Sequence, residues 1–462
     1  MQKDDKYIMM TETPINVLIP KIAIPTIISM LITSIYNMAD TFFVSQIGTS
    51  AAGAVGVDFS LMAMIQAIGF TIGTGSGNFI SRSLGRKDRK TAKQVAATGF
   101  FTSLFLGLLL AVFGLANIDR LVVFLGATET IAPYAKDYGR YILIGAPYMC
   151  GSFVLNVVLR SQGNAVKSMI GITVGGVLNI ILDPILIFGF NMGISGAAIA
   201  TIISQFISFI ILFIQTNFVE GSIKIKFSNI NFSFKMYKEI LRTGLPTFYR
   251  QGLASAATVF LNVAASPYGD PAVAAVSIVT RILMFIYSAL IGFGQGYMPA
   301  VGFNYGAKRY DRVLEAFWFS GKVAIKVLIV LAVIFFTLSP QVITVFRRGD
   351  LEVIKIASRT LRFQCLVLPL HAFSVIINMT LQSLGFGMKA TLASSARQGL
   401  FFIPSILVLP KIFGLTGVQI SQAVADVFTF MLNIALIAGV LKTIKEKAEI
   451  EKQRVDSVKQ EA

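Results

Sequence analysis

Charged residues are scarce in this sequence. Only 14% of its 462 residues are Asp, Glu, Lys or Arg, against about 25% in soluble proteins, so a soluble multidomain enzyme is excluded. Metal-binding and nucleophilic side chains are also rare: His371 is the one histidine, and Cys150 and Cys365 are the two cysteines. Both cysteines lie in apolar runs, without metal-ligand spacing, and indicate no disulfide framework. No zinc-ligand cluster, Ser-His-Asp set or ATP-binding domain can be assembled. We therefore expect a protein that is not an enzyme, has no cofactor and draws energy from an ion gradient.

Long apolar runs are abundant in the sequence, which has 55% hydrophobic residues and 38 phenylalanines. A helix needs about 20 mostly apolar residues to cross the hydrocarbon core of a bilayer. Runs of that length lie near residues 15–43, 51–81, 95–117, 133–159, 166–188, 196–218, 239–266, 271–302, 313–338, 355–384, 388–410 and 415–441. They lack the alternation of barrel strands, and lipid-exposed backbone must satisfy its own hydrogen bonds. We predict an all-α integral membrane protein with about twelve transmembrane helices.

The net charge of +17 is distributed unevenly between the two sets of gaps that separate these runs. One set is rich in basic residues: Arg82, Arg86, Lys87, Arg89, Lys90, Lys93, Lys224, Lys226, Lys235, Lys238, Lys308, Arg309, Arg312, Lys442, Lys445 and Lys447. The other set holds only Arg120, Lys136, Arg347, Arg348, Lys355 and Lys411. This asymmetry is typical of cytoplasmic membrane loops, and it predicts a multi-pass protein of the cytoplasmic membrane with both termini in the cytoplasm. Short basic gaps do not favour a nucleic-acid-binding protein. Residues 1–13 show no cleavable signal peptide, so we expect the first run to remain in the mature protein.

The two halves of the chain repeat one another. Pro25-Thr26 recurs as Pro246-Thr247, an offset of 221 residues (246 − 25). The same offset relates Gly73, Gly75, Gly85 and Lys87 to Gly294, Gly296, Gly306 and Lys308, and an offset of 222 relates Pro147, Asn156, Ser161, Gly163 and Lys167 to Pro369, Asn378, Ser383, Gly385 and Lys389. Six helices per half give both halves the same orientation, which makes the repeat parallel.

The predicted units are an N-terminal six-helix lobe at 1–220, a cytoplasmic linker at 221–238, a C-terminal six-helix lobe at 239–445 and a charged cytoplasmic tail at 446–462. Transporters commonly bind substrate between such repeats. A structural duplication without transport is the alternative.

Asp183 is the most informative single residue, because it lies deep in an otherwise uncharged run that begins near Ser168. A carboxylate there costs several kcal/mol unless it is paired, neutralised or ligated. Asn179 lies one helical turn before it and shares its face. Counted at about 1.5 Å per residue, Asp40 and Thr201 reach the same depth in the outer half of the first lobe. Two such acids cannot both ionise cheaply, so the four residues indicate a site for a proton or Na⁺. The alternative is two structural acids, each hydrogen-bonded within its own helix. That alternative has more weight for Asp58, near the outer membrane surface in the second run, and the sequence leaves the role of Asp58 open.

The second lobe holds Arg250, Arg281 and Arg397 within its runs, but only one acid, Asp426. We expect structural ion pairing for Arg281 and Asp426, with a basic surface for an anionic substrate as the alternative. His371 lies mid-run and is expected to be a core histidine, with a proton relay as the alternative. Arg250, His371 and Asp426 remain weak candidates for substrate contact in this lobe.

Three motifs resemble one known family. Tyr36-Asn37-Met38-Ala39-Asp40-Thr41-Phe42-Phe43-Val44 is similar to the first-helix signature of the multidrug and toxic compound extrusion (MATE) transporters. Ser81-Arg82-Ser83-Leu84-Gly85-Arg86-Lys87-Asp88 is similar to their loop after helix 2, and Asn179-Ile180-Ile181-Leu182-Asp183-Pro184-Ile185-Leu186-Ile187-Phe188-Gly189 resembles the MepA-like bacterial branch. The resemblance covers nearly the whole chain.

The resemblance implies a two-lobe antiporter, expected to be a monomer, that exports amphipathic cationic drugs in exchange for H⁺ or Na⁺. It assigns cation coupling to Asp40, Asn179, Asp183 and Thr201, supported by Tyr36 and Asn37. The NorM-like branch has second-lobe acids on helices 7 and 10. Here those helices offer Arg250 and His371 instead, which argues against a second-lobe Na⁺ site of that type.

Three other functions compete with this one. A lipid-linked sugar or lipid flippase would share the two-lobe architecture, with the second-lobe arginines meeting a headgroup phosphate. A major facilitator carrier also has two six-helix halves, but Gly85 to Lys90 matches its loop motif poorly. A membrane enzyme lacks any metal or nucleophile constellation.

Overall fold

The computed structural model describes residues 2–219, 221–347 and 349–461. Arg348 and the boundary residues 1, 220 and 462 of the predicted units lie outside the described residues. Within the described part of the chain all regular structure is helical, and the predicted all-α fold is confirmed. The α-helices are α1 (Gln2–Glu12), α2 (Ile15–Ser45), α3 (Thr49–Gly85), α4 (Arg89–Ala116), α5 (Ile118–Phe124), α6 (Ala132–Ser161), α7 (Ala165–Pro184), α8 (Gly193–Asn217), α9 (Phe234–Ala265), α10 (Asp270–Gly306), α11 (Tyr310–Thr337), α12 (Ser339–Phe346), α13 (Leu351–Leu384), α14 (Gly387–Ser395), α15 (Ile403–Phe413) and α16 (Leu415–Glu461).

Over the described residues, eleven helical segments are long and apolar enough to cross a membrane. Together with α9 they account for the twelve predicted spans. The helix α9 has the length of a span, but Glu239, Arg242 and Arg250 lower its hydropathy. The sequence did not predict the short helices α1, α5 and α12, and α16 continues as one helix through the tail to Glu461.

The predicted internal repeat is visible in local geometry. Lys87 and Lys308 both adopt the left-handed backbone conformation, with φ of 61° and 60°, at equivalent turns. Asn156 Nδ2 donates to the Ser168 carbonyl at 3.3 Å, and Asn378 Nδ2 donates to the Ala390 carbonyl at 2.8 Å. In each lobe this hydrogen bond spans the turn between two consecutive helices, so equivalent bonds stabilise equivalent turns in the two lobes.

Glycines allow the two lobes to approach one another closely. A Cβ on Gly85 of α3 would collide with the carbonyl oxygen of Phe303 in α10, and a Cβ on Gly306 of α10 would collide with that of Arg82 in α3. These contacts are reciprocal, because residues 82 and 85 correspond to 303 and 306 in the repeat. The lobes therefore meet through a local two-fold arrangement that only residues without a side chain permit.

The lobes are joined mainly at the end of the bundle that carries the connection between α8 and α9, which we call the linker end. Arg82 Nη2 of α3 pairs with Glu239 Oε1 of α9 at 2.7 Å there. Several hydrogen bonds of the described residues join a helix of one lobe to a helix of the other. The bond farthest from the linker end joins Ser34 Oγ to Ser288 Oγ at 2.8 Å. The last third of α2, beyond Ser34, makes no hydrogen bond to the second lobe within the described part of the chain.

Candidate functional site

A cluster of polar side chains lies in the half of the first lobe that is farther from the linker end, where α2, α6, α7 and α8 meet. Asn179 Nδ2 of α7 donates to Asp183 Oδ1 at 3.1 Å and to Thr201 Oγ1 of α8 at 3.3 Å. Asp40 of α2 joins the cluster through Tyr138 of α6, because the Tyr138 hydroxyl donates to Asp40 Oδ2 at 3.5 Å and is also hydrogen-bonded to the Thr201 side chain. The structure thus brings together the four side chains that the sequence placed at one depth. Together with Tyr138 they form a group of five residues that we call the polar cluster.

Tyr36 and Asn37 flank this cluster differently. Tyr36 is buried on the face of α2 that carries Asp40, and Gln205 Nε2 of α8 donates to its hydroxyl at 3.4 Å. The Asn37 carbonyl accepts a hydrogen bond from Thr41, but within the described contacts the Asn37 side chain bonds to no member of the polar cluster. Tyr36 therefore supports the wall of the cluster, and Asn37 lies beside it.

Local sequence explains the geometry of α7. Asn179 and Asp183 are four residues apart and share one face of the helix. Pro184 lacks an amide donor, and the α-helix ends there and is followed by a π-helical turn at Ile185–Gly189. Gly176, one turn before Asn179, leaves space for the Tyr36 ring, because a Cβ there would lie 3.2 Å from Tyr36 Cδ1. The polar cluster thus lies where α7 is both closely packed against α2 and irregular.

Three oxygens of the polar cluster have no hydrogen-bond partner within the described structure: Asp40 Oδ1, Asn179 Oδ1 and Asp183 Oδ2. They are shielded from solvent, since Asp40 is 8% exposed and Asp183 is 0% exposed. No described Lys, Arg or His forms an ion pair with either acid, and their carboxyl groups are close enough to repel when both are charged. Leaving a buried polar group unsatisfied costs about 1–3 kcal/mol, and more for a charged one. Carboxylate, amide and hydroxyl oxygens are hard ligands, so the cluster fits a proton or a hard cation such as Na⁺.

Asp58 lacks the hydrogen bonds that we expected of a structural acid. Asp58 of α3 is fully buried, and neither of its carboxyl oxygens has a partner among the described residues. It faces α6, where a Cβ on Gly139 would lie 3.0 Å from Asp58 Oδ1. The hydropathy pattern gave its depth along α3 but not the face of the helix on which it lies, and this face turns towards the protein.

The expectation of a structural ion pair is met by Asp426 but not by Arg281. Arg397, in the π-helical turn after α14, donates to Asp426 Oδ1 at 2.7 Å and to Oδ2 at 3.3 Å. Arg397 Nη2 also donates to the Tyr287 hydroxyl at 2.9 Å. Arg281 is exposed on α10 and forms no ion pair with a described residue. Asp426 therefore neutralises Arg397, and Arg281 takes no part in this ion pair.

The two remaining second-lobe candidates lie in different surroundings. His371 is 7% exposed, and its ring packs edge-on against Tyr287 with the centroids 4.8 Å apart. Arg250 of α9 has a buried Nε without a hydrogen-bond partner, and no described acid forms an ion pair with it. His371 thus belongs to the packed group around Arg397, and Arg250 is left as an uncompensated cation.

Sequence reasoning missed Tyr138 and Gln205. Tyr138 is 1% exposed and connects Asp40 to the rest of the polar cluster, and Gln205 connects α8 to Tyr36. Gln205 follows Thr201 by one helical turn, and Tyr138 lies near the outer end of its run, at about the depth of Asp40. A search for polar side chains at that depth on the neighbouring helices would have found both residues.

Comparison with known proteins gives a consistent result. The family model described as MatE matches the chain twice, over residues 25–185 and 246–408. The two matches begin 221 residues apart (246 − 25), the offset of the internal repeat. They cover most of both lobes.

The chain is also similar to individual relatives over nearly its whole length. It is 29% identical over 429 residues to the multidrug export protein MepA of Staphylococcus aureus (strain MSSA476), covering 92% of this chain and 94% of that protein. It is 29% identical over 446 residues to MepA of Staphylococcus haemolyticus (strain JCSC1435), covering 94% and 96%. A solved structure described as the outward-facing conformation of a multidrug resistance MATE family transporter of the MOP superfamily superposes with a TM-score of 0.87 at 26% identity, covering 94% of this chain and 99% of that one. By its sequence and its two-lobe membrane fold, the chain belongs to the MatE family.

Proposed function

We propose that this protein is a secondary active multidrug efflux transporter that exports amphipathic organic cations in exchange for H⁺ or Na⁺. The observation that carries the proposal is the polar cluster, with its two buried acids and three unpartnered oxygens. Such a group is stable only when it holds a proton or a cation, so its occupancy can be coupled to a conformational change. The similarity to proteins named multidrug export protein supports drugs as the exported substrates.

The arrangement of the lobes supports alternating access. The two lobes have equivalent folds, are joined mainly at the linker end and are in contact through glycines and the Arg82–Glu239 pair. The polar cluster lies in the outer half, beyond the last hydrogen bond between lobe helices at Ser34 and Ser288. The contacts between the lobes are thus concentrated at the linker end. A state in which the cleft between the lobes is closed at the linker end and open at the far end accounts for this concentration of contacts. The basic residues favour a cytoplasmic linker end, so the cleft would open to the outside.

Coupling requires that cation and drug favour different states of the lobes. Loading of Asp40 and Asp183 with H⁺ or Na⁺ neutralises their mutual repulsion and lets α2 and α7 pack more closely. Drug release would accompany this rearrangement in the first lobe. The second lobe then contributes to closure more than to ion binding, because Arg397 already neutralises its one intramembrane acid, Asp426.

The ion pair between Arg397 and Asp426 argues against a lipid-linked sugar or lipid flippase. That function needs basic side chains free to meet a headgroup phosphate. Arg397 is engaged by Asp426, and of the three intramembrane arginines considered in the second lobe only Arg250 and Arg281 form no ion pair with a described residue. The ion pair thus removes one of the three basic side chains that such a flippase would use.

The proposal is tested by efflux of a cationic dye from proteoliposomes under separately imposed Na⁺ and H⁺ gradients. We expect Asp40→Asn and Asp183→Asn to abolish gradient-driven efflux while the protein remains folded and inserted. Asp119→Asn, which changes an exposed acid of α5, is the matched control and should leave efflux unchanged. Full efflux by both cluster variants would overturn the proposal. Movement of a fluorescent pyrophosphate lipid across the bilayer, without dye efflux, would favour the flippase.

A further inference from the structure

The connection between the lobes presents an unusual surface. Phe227, Phe232 and Phe234 are 72%, 80% and 80% exposed. Four exposed lysines, Lys224, Lys226, Lys235 and Lys238, are interleaved with them in the sequence. We call these seven side chains the linker face. Three large aromatic rings exposed to water would be costly, so the composition of this face indicates a partner.

The backbone of this connection is fixed against the first lobe. The Ile223 amide donates to Gln162 Oε1 at 2.7 Å, and the Ile225 amide donates to Asn217 Oδ1 at 2.7 Å. Ile223 and Ile225 are buried, whereas Lys224 and Lys226 between and beside them are exposed. The extended backbone thus directs alternate side chains inwards and outwards, and the linker face is held outwards by the fold.

The linker face lies at the level where the membrane begins. The Asn231 amide donates to Thr98 Oγ1 of α4 at 3.0 Å, and the Phe227 ring contacts Phe101 of α4 with centroids 5.3 Å apart. Thr98 and Phe101 lie about 14 and 18 Å along α4 from its first residue, Arg89, at 1.5 Å per residue. The apolar run of α4 begins near Val95, so both contacts fall within it. The Phe227 ring and the backbone of Asn231, which precedes Phe232, are therefore level with the first part of this apolar run.

The charge of the linker face defines the partner. None of its four lysines forms an ion pair with a described residue, and Glu239, the acid that follows Lys238 in the sequence, is engaged by Arg82. Lysines at the border of a membrane are attracted to anionic headgroups, and aromatic rings beside them insert among the acyl chains. A protein partner would not need the rings to lie at this depth.

We propose that the linker face is a binding site for anionic phospholipid in the leaflet at the linker end. Phe227, Phe232 and Phe234 enter the acyl-chain region, and Lys224, Lys226, Lys235 and Lys238 contact the lipid phosphates. The site is independent of the polar cluster and of the transported substrate, so it stands whether or not the proposed efflux activity is found.

The depth of the rings is tested by tryptophan quenching in vesicles. The protein has one tryptophan, Trp318, and a Trp318→Phe background makes a tryptophan at Phe232→Trp the only one present. We expect brominated phospholipid to quench this tryptophan strongly and aqueous iodide to quench it weakly. Ile450→Trp, on the exposed tail part of α16, is the control and should show the opposite pattern. Phe234→Trp provides a second position if the first variant folds poorly. Quenching by iodide but not by brominated lipid at both positions would overturn the proposal.

The preference for anionic lipid is tested in two kinds of mixed vesicle with equal bromine content. In one the phosphatidylglycerol is brominated and the phosphatidylcholine is not, and in the other only the phosphatidylcholine is brominated. We expect the brominated phosphatidylglycerol to quench more strongly, and the difference to vanish when all four lysines are changed to Gln. Each lysine near an anionic surface contributes about a fivefold preference, so the combined loss is measurable. Equal quenching by the two brominated lipids in the protein with its lysines intact would refute the preference of the site for anionic lipid. A preference that survives loss of all four lysines would refute their role.

Discussion

The ion pair between Arg82 and Glu239 should hold the linker end closed, and its removal should shift the balance between the two states of the transporter. Arg82 Nη2 lies 2.7 Å from Glu239 Oε1, with the side chains 12% and 24% exposed, and Arg82 also donates to the carbonyls of Asn78 and Leu384. One residue of α3 thus joins two helices of the other lobe. A pair so well shielded is screened less by salt than a surface pair.

The magnitude follows from the chemistry of the substitution Glu239→Gln. Hydrogen bonds to charged groups contribute about 1.5–3 kcal/mol, and Gln keeps an acceptor but loses the charge, so the loss lies near the lower value. About 1.4 kcal/mol corresponds to a tenfold change in an equilibrium constant. We therefore expect the state closed at the linker end to become about tenfold less favoured. Arg242→Gln is the matched control, because Arg242 is half exposed and lies 3.8 Å from Glu239. Its effect should stay below about 1 kcal/mol.

Distances between spin labels measure this shift. Labels at Lys90 and Met388, exposed on the linker ends of the two lobes, should separate in Glu239→Gln. Labels at Phe124 and Val345, 85% and 78% exposed at the far end, should approach one another. Distance distributions identical to those of the unsubstituted protein, in both label pairs, would refute the reasoning. A loss of thermal stability without any change in distances would assign the ion pair to folding rather than to gating.

Two further predictions concern single acids. Asp58→Leu should raise the unfolding temperature in detergent, because it removes a fully buried carboxyl group without a described partner, and such a group costs about 1–3 kcal/mol or more. Labelling of the buried cysteines by a thiol-reactive dye on heating reports unfolding, and a lower temperature for Asp58→Leu than for Asp58→Asn would show that the carboxyl group has a stabilising role. Asp88→Ala should destabilise the protein by about 1 kcal/mol, because Asp88 Oδ1 caps α4 by accepting from the Thr91 amide at 3.0 Å. The hydrogen bonds from Thr91 lower the pKa of Asp88, so its contribution is present at neutral pH and is lost as the pH falls through that lowered pKa. A difference between Asp88→Ala and the unsubstituted protein that persists unchanged in acid would contradict this reasoning.

Much of the architecture follows from the sequence alone. The length of each apolar run sets the number of spans, because a helix must satisfy its own backbone hydrogen bonds across the hydrocarbon. The offset of 221 residues predicted the repeat that the two family matches and the paired turns at Lys87 and Lys308 also show. Depth along a helix is likewise local information, since each residue adds a fixed rise. The positions of Asp40, Asn179, Asp183 and Thr201 could therefore be predicted to lie at one level, although their role in coupling remains a prediction.

Tertiary structure decided which residues at one level meet. Hydropathy does not give the rotation of a helix in a membrane, because lipid is as apolar as the protein interior and both faces can be hydrophobic. Asp58 thus turned out to be buried, Arg397 rather than Arg281 is the partner of Asp426, and Tyr138 links Asp40 to the rest of the polar cluster. The contacts between the lobes at the linker end also join residues that are far apart in the chain, and no local pattern encodes them. The sequence by itself determined spans, repeat and depth, and only the packing of the helices decided which side chains face one another.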